Sequence, residues 1–192
     1  LNSGRATHRT TYRQAVHAGN VEPVKQFMEL GDSLLNRHIL FDILPDDLAT
    51  PKVIKKYQVV YRVGTKEPQP VNRFTFEAPT TVRVSLSQPA KGKSLHLHMV
   101  NYNRTEPEKP KSAGGGIQDE KPIQAENIIF TVRLPKGSNL KYVHFLTPEN
   151  DSKITLPVTR LNSGQFRVAI PKFLVYAVLE LAITENSPTQ NP

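Results

Sequence analysis

The stretch SLHLHMVNYNR, Ser94 to Arg104, decides the fold. Successive side chains of a strand point to opposite faces, so Leu95, Leu97 and Met99 fall on one side and His96, His98 and Val100 on the other. One face is wholly apolar and the other is mixed, which is the pattern of a strand that covers a core on one side only. The two imidazoles on the mixed face raise a second question. A His-x-His pair on a strand can offer two ligands to a metal, and it is equally the polar outer face of a half-buried strand.

The same alternation recurs on both sides of this stretch. It is carried by RFTFEA from Arg73 to Ala78, by Val82, Val84 and Leu86, and by Ile128, Phe130, Val132 and Leu134. It continues at Val143 and Phe145, at Ile154, Leu156 and Val158, at Phe166, Val168 and Ile170, and in the more continuous VYAVLELAI from Val175 to Ile183. Turn signals separate these runs: Lys91-Gly92, Pro135-Lys136-Gly137, Glu149-Asn150-Asp151 and Asn162-Ser163-Gly164. Short strands at such spacing, with no helical period between them, predict a mainly β protein: an antiparallel β-sandwich of about eight strands over residues 71–184. Residues 105–124 hold several prolines and three consecutive glycines, Gly114 to Gly116, and are expected to form a long mobile loop. Residues 185–192 are expected to form a disordered tail.

A short α/β segment, residues 1–63, is expected ahead of the sandwich. Its first twenty or so residues read as an arm without a firm period. From Val21 a helix is predicted, with Val24, Phe27, Met28, Leu30, Leu34 and Leu35 at helical spacing despite Gly31. HILFDIL, His38 to Leu44, reads as a buried strand, Pro51 marks a short helix, and QVVYRV, Gln58 to Val63, reads as a second strand. Gly64 to Asn72, with two prolines, separates this segment from the sandwich.

Composition narrows the function. The chain has 192 residues and no cysteine, which excludes disulfides, thiolate chemistry and cysteine-based zinc sites. Its net charge of +8 is dispersed, with no arginine-rich helix or zinc finger, so no nucleic-acid partner is expected. No apolar run reaches the ~20 residues of a membrane span, and the N-terminus lacks the apolar core of a signal peptide. Beginning at Leu1 outside any recognisable element, the chain reads as a piece of a longer polypeptide.

Residue chemistry offers three kinds of site. His96 and His98, joined by His144 from another strand and a carboxylate, are the candidate metal ligands of a jelly-roll enzyme. The glutamate that follows the histidine pair in the cupin pattern is absent, so the expectation is no metal and no cofactor, with the histidines lining a polar strand face. Asp42, Asp46, Asp47, Glu67 and Glu77 are the carboxylates nearest a hydrolytic pair, but the strands carry few acids and no nucleophile elbow or phosphate loop occurs. No catalytic residue is assigned, and the chain on its own is expected not to be an enzyme. Tyr61, Tyr102 and Tyr142 are the candidate sugar-stacking side chains, with Tyr176 beside them.

The ordered set TTVRVSLSQPAKGKSLHLHMVNYNR, FTVRLPKGSNLKYVHFLTPE and FRVAIPKFLVYAVLELAI resembles the C-terminal β-sandwich of multidomain glycoside-hydrolase-type proteins related to trimeric β-galactosidases. The resemblance is carried by Leu97-His98-Met99-Val100-Asn101-Tyr102, by Val132 to Pro135, and by Ile170-Pro171 with Tyr176. LLNRHILFDILPDDLATPKVIKKYQVVY is similar to part of the flavodoxin-like middle domain of such proteins, and it stops after about two strands. The resemblance implies a non-catalytic accessory module that packs against or orients a catalytic domain of the same polypeptide, in contact with carbohydrate, in an extracytoplasmic setting. It also implies that the acid and base carboxylates lie outside this sequence. The alternatives are a stand-alone carbohydrate-binding or adhesion module and, third, the metal-dependent jelly-roll enzyme. Within the resemblance His98, Asn101 and Tyr102 are expected to tie the strand end to its neighbours.

Overall fold

A computed structural model of the chain describes residues 22–57, 60, 73–89, 94–105, 121–161 and 164–185. The chain divides into two compact units, Leu1–Asn72 and Arg73–Pro192.

In the first unit, helix α1 (Glu22–Asn36) follows the predicted apolar spacing. It ends in a Schellman turn: Ile39 N–H reaches Leu34 O at 2.9 Å and His38 N–H reaches Leu35 O at 3.1 Å. That turn places His38 in the left-handed region, φ 53°, a conformation that histidine tolerates better than most residues. The consequence corrects the expectation for His38 to Leu44. The helix cap reverses the chain, and residues 39–43 run without a ladder, with only Leu44 at an isolated bridge position. An apolar run by itself does not distinguish a strand from an irregular segment, and this one is only partly covered, with Ile43 exposed. A 3-10 turn (Asp46–Leu48) leads to helix α2 (Pro51–Ile54), whose N-cap Thr50 accepts from Val53 N–H, with Pro51 in the first turn where no amide donor is needed. Burial, then the charge of Asp42 and a hydrogen bond to it, raise the pKa of Tyr57. The arm and most of Gln58–Val63, including Tyr61, lie outside the described residues.

The second unit is a β-sandwich of two antiparallel sheets. Its strands are β1 (Phe74–Glu77), β2 (Val82–Ser87), β3 (Ser94–Asn101), β4 (Ile128–Arg133), β5 (Ser138–Thr147), β6 (Asn150–Thr155), β7 (Thr159–Arg160), β8 (Gln165–Ile170) and β9 (Tyr176–Glu185). The four-stranded sheet has the order β1-β4-β8-β7 and the five-stranded sheet β2-β3-β9-β5-β6. The chain changes sheet between β1 and β2, β3 and β4, β4 and β5, β6 and β7, and β8 and β9. Only β2-β3, β5-β6 and β7-β8 are sequential neighbours within one sheet.

Inward positions of both sheets meet in one core. Phe130, Val132, Val168 and Phe166 from the four-stranded sheet face Leu97, Met99, Val143, Phe145, Leu179 and Leu181 from the five-stranded one. Phe74 and Phe76 on the edge strand β1 stack on Phe130, with centroids 6.2 and 5.0 Å away. The alternating burial along β4 and β8 is the pattern read in the sequence.

Among the described residues there are nine strands where about eight were expected, because Ile154 to Val158 is not one strand. β6 pairs with β5 up to Thr155, the chain passes Pro157, which has no amide to donate, and β7 then pairs with β8 in the other sheet. The turn between β4 and β5 closes through Ser138 N–H to Pro135 O at 3.0 Å, with Gly137 at φ 86° supplying the left-handed residue such a turn requires. The expected loop 105–124 is structured at both ends. Arg104 bridges Pro122, Thr105 N–H reaches Lys121 O at 2.9 Å, Ile123 N–H reaches Asn103 O at 2.9 Å, and residues 106–120 lie outside the described residues. Glu185, expected to open the tail, instead closes β9 in register with Ser138; residues 186–192 lie outside the described residues.

Candidate functional site

The outer face of the five-stranded sheet gathers most of the chemically distinctive side chains. Register aligns Ser87 of β2, His96 of β3, Glu180 of β9, His144 of β5 and Thr155 of β6 in one cross-strand row. The adjacent row is Ser85, His98, Val178 and Leu146, and beyond it Arg83, Val100 and Tyr176. Opposed side chains on one face lie close enough to bond directly, and diagonal ones come within reach when they are long.

The histidines use that proximity. His98 sits between two hydroxyls, with Nε2 2.9 Å from Ser87 Oγ and Nδ1 2.7 Å from Tyr176 Oη. A hydroxyl can donate or accept, so both ring nitrogens are satisfied in either tautomer. His144 Nδ1 lies 3.2 Å from Glu180 Oε2, the two side chains being 13% and 28% exposed, and its ring stacks on Tyr142 with centroids 4.1 Å apart. His96 Nε2 lies 3.4 Å from Ser94 Oγ.

His96, His98 and His144 thus share a face of one sheet, with His96 and His144 on either side of Glu180 in one row. They do not close on a common point. Among the described residues no group of three or more histidine, aspartate or glutamate side chains is arranged to hold a metal ion. Both nitrogens of His98 are already engaged.

At the end of β3 the bonding is architectural. Asn101 is buried, and its Nδ2 donates to Ile123 O and to Leu174 O, each at 2.7 Å. Its Oδ1 accepts from Thr81 Oγ1 at 3.3 Å and from Asn103 N–H at 3.0 Å. One amide therefore joins the entry to β2, the exit from β3, the stem at Ile123 and the segment before β9. Tyr102 contributes through its backbone, N–H to Thr81 O at 2.9 Å, while its side chain is 62% exposed. The Glu149 carboxylate accepts from Leu174 N–H at 2.9 Å and from Val175 N–H at 3.2 Å, which pins the β5-β6 turn to the start of β9.

Of the sugar-stacking candidates, Tyr142 lies on the outer face with one ring face covered by His144, Tyr102 stands exposed at the strand end, and Tyr61 is outside the described residues. Of the carboxylates, Glu77 is exposed and 3.7 Å from Arg167, and Asp42 is engaged with Tyr57. Two residues that sequence reading did not single out prove central. Glu180 is the one charged side chain inside VYAVLELAI, and alternation from Tyr176 would have placed it on the outer face. Glu149 lay in a turn signal, and nothing local marks its partners 25 and 26 residues away.

No protein-family model matches the sequence, and no curated protein matches it. Among solved structures, the chain is similar to α-L-fucosidase isoenzyme 2 from Paenibacillus thiaminolyticus, with a TM-score of 0.43 and 13% identity. That match covers 59% of this chain and 16% of the fucosidase chain.

Proposed function

We propose that this chain is a non-catalytic accessory β-sandwich module of a carbohydrate-active polypeptide, packing against or orienting a catalytic domain. The observation that carries the proposal is the engagement of the outward histidines. His98 is held by Ser87 and Tyr176, His144 by Glu180 and Tyr142, and His96 by Ser94. Side chains bonded to their strand neighbours in this way help to give a sheet face its shape and polarity, which supports an architectural part for the three histidines. The resemblance from Leu34 to Ile183 supplies the carbohydrate-active context.

The test uses the coding sequence on either side of this chain. The chain alone should hydrolyse none of a panel of aryl glycosides, and deleting residues 73–185 from the longer polypeptide should lower the thermal stability or activity of a catalytic domain encoded beside it. Hydrolysis by the chain itself, or flanking sequence with no catalytic domain, would overturn the proposal. A second reading, a stand-alone carbohydrate-binding module, is favoured by one observation: Tyr142 and Tyr176 both stand on the outer face of the five-stranded sheet.

A further inference from the structure

β6 leaves β5 and returns. Phe145 pairs with Ile154 and Thr147 with Asn150, so two steps along β5 are matched by four along β6. The additional residues carry the edge strand away from its neighbour, as bulges at sheet edges do. Beside this bulge lies an open hollow of about 180 Å³. Leu146, Pro148, Tyr176 and Val178 contribute apolar surface to it, and Asp151 and Lys153 bring one carboxylate and one ammonium. The Tyr176 ring is fixed in place, because its hydroxyl bonds His98 and Thr147 Oγ1 donates to its backbone carbonyl at 2.9 Å.

We propose that this hollow is a subsite for a single neutral pyranose, a reading that rests on the carbohydrate-associated function proposed above and gives it a location. Three properties select that ligand. A sugar ring offers C–H faces to an apolar floor and hydroxyls to a polar rim, and the hollow has both. Its volume lies below the ~300–1,000 Å³ of sites that enclose a drug-sized molecule, so it seats one ring rather than a chain. The rim is electrically balanced: neither Asp151 nor Lys153 has an ion-pair partner among the described residues, and together they give an acceptor and a donor without net charge. A neutral sugar can use both groups, whereas an anionic sugar sets the attraction of Lys153 against the repulsion of Asp151 and an aliphatic ligand would leave both charges unused.

The experiment is an amide chemical-shift titration of the full isotope-labelled chain with methyl glycosides of galactose, glucose, mannose and fucose, and with glucuronate as the anionic control. One ring held in an open hollow should bind with a Kd of roughly millimolar order. Saturable shifts for at least one neutral sugar should be confined to residues 146–153 and 176–178, and glucuronate should bind more weakly. Asp151→Ala and Lys153→Ala change exposed side chains and should keep the spectrum of the folded protein, while each weakens binding about tenfold. Shifts centred elsewhere, such as at Tyr102 or on the four-stranded sheet, would overturn the subsite while leaving carbohydrate binding intact. Equal affinity in both variants, or no saturable shift with any neutral sugar, would also overturn it. The accessory role is judged separately by the deletion of residues 73–185, so the two proposals can fail independently.

Discussion

Asn101 concentrates in one side chain what the sandwich needs at the end nearest its crossovers. Its four bonds satisfy two backbone carbonyls, one amide and one hydroxyl from separate segments, and removing a partner from a buried polar group costs more than the bond gained in making it. Asn101→Leu should therefore lower the unfolding free energy by about 3 kcal/mol, read from urea denaturation with an unchanged m-value. Asn101→Asp would aim a carboxylate oxygen at two carbonyls, which favours the protonated form. Its destabilisation should be smallest below the ordinary carboxyl pKa of about 4 and grow as pH rises. Tyr57 gives a pH effect in the native protein: its folded pKa lies above the unfolded one, so the stability it contributes is complete below about pH 10 and is lost as pH rises through the raised value. Phenolate absorbance should show one tyrosine titrating late, and Asp42→Asn should bring it down; an unchanged curve would remove Asp42 as a cause. At this scale the sequence was partly legible. His98 and Asn101 stood out as polar residues in an apolar alternation and do tie strands together, whereas Tyr102, among the described residues, takes part through its amide.

Among elements, β9 bears the most weight. It is the central strand of the five-stranded sheet, flanked by β3 and β5, and its Ala177, Leu179 and Leu181 are fully buried. Leu179→Ala should cost roughly 2–5 kcal/mol through the cavity it leaves, more than Ile154→Ala on the edge strand, where the side chain is already exposed. Equal losses at the two positions, measured by thermal or urea unfolding, would contradict this account of the sheet. Strand existence was readable from alternation because half-buried strands print a period of two on their sequence. Three things were not readable. The allotment of strands to sheets depends on pairing between distant segments, such as β1 with β4. The exchange of sheets at Pro157 looks locally like one interrupted strand. The hollow beside β6 is cut by a register shift in a strand whose residues are all exposed, and so without apolar periodicity to reveal it.

For the whole molecule, a single core drawn from both sheets implies that the second unit unfolds as one body. A fragment of residues 73–185 should fold alone and melt in one cooperative step, with an enthalpy of about 70–80 kcal/mol for its size, the calorimetric and van't Hoff values agreeing. Two separate transitions would mean that the sheets are independent. The sandwich class was legible in the chain as a whole, while the expectation of two strands in the first unit met a helix cap in place of the first, the Schellman turn at His38. The position of β9 carries a consequence for biosynthesis. Of the described strands the one made last stands in the middle of its sheet, so the β2-β3 and β5-β6 hairpins are synthesised with their inner edges, β3 and β5, still unpaired. At ~5–20 residues per second, β3 waits on the order of ten seconds for β9 to be synthesised. During that interval Leu97 and Met99, fully buried in the folded sandwich, lack the strand that flanks them, so the growing chain passes through a stage with more apolar surface open than the finished fold has.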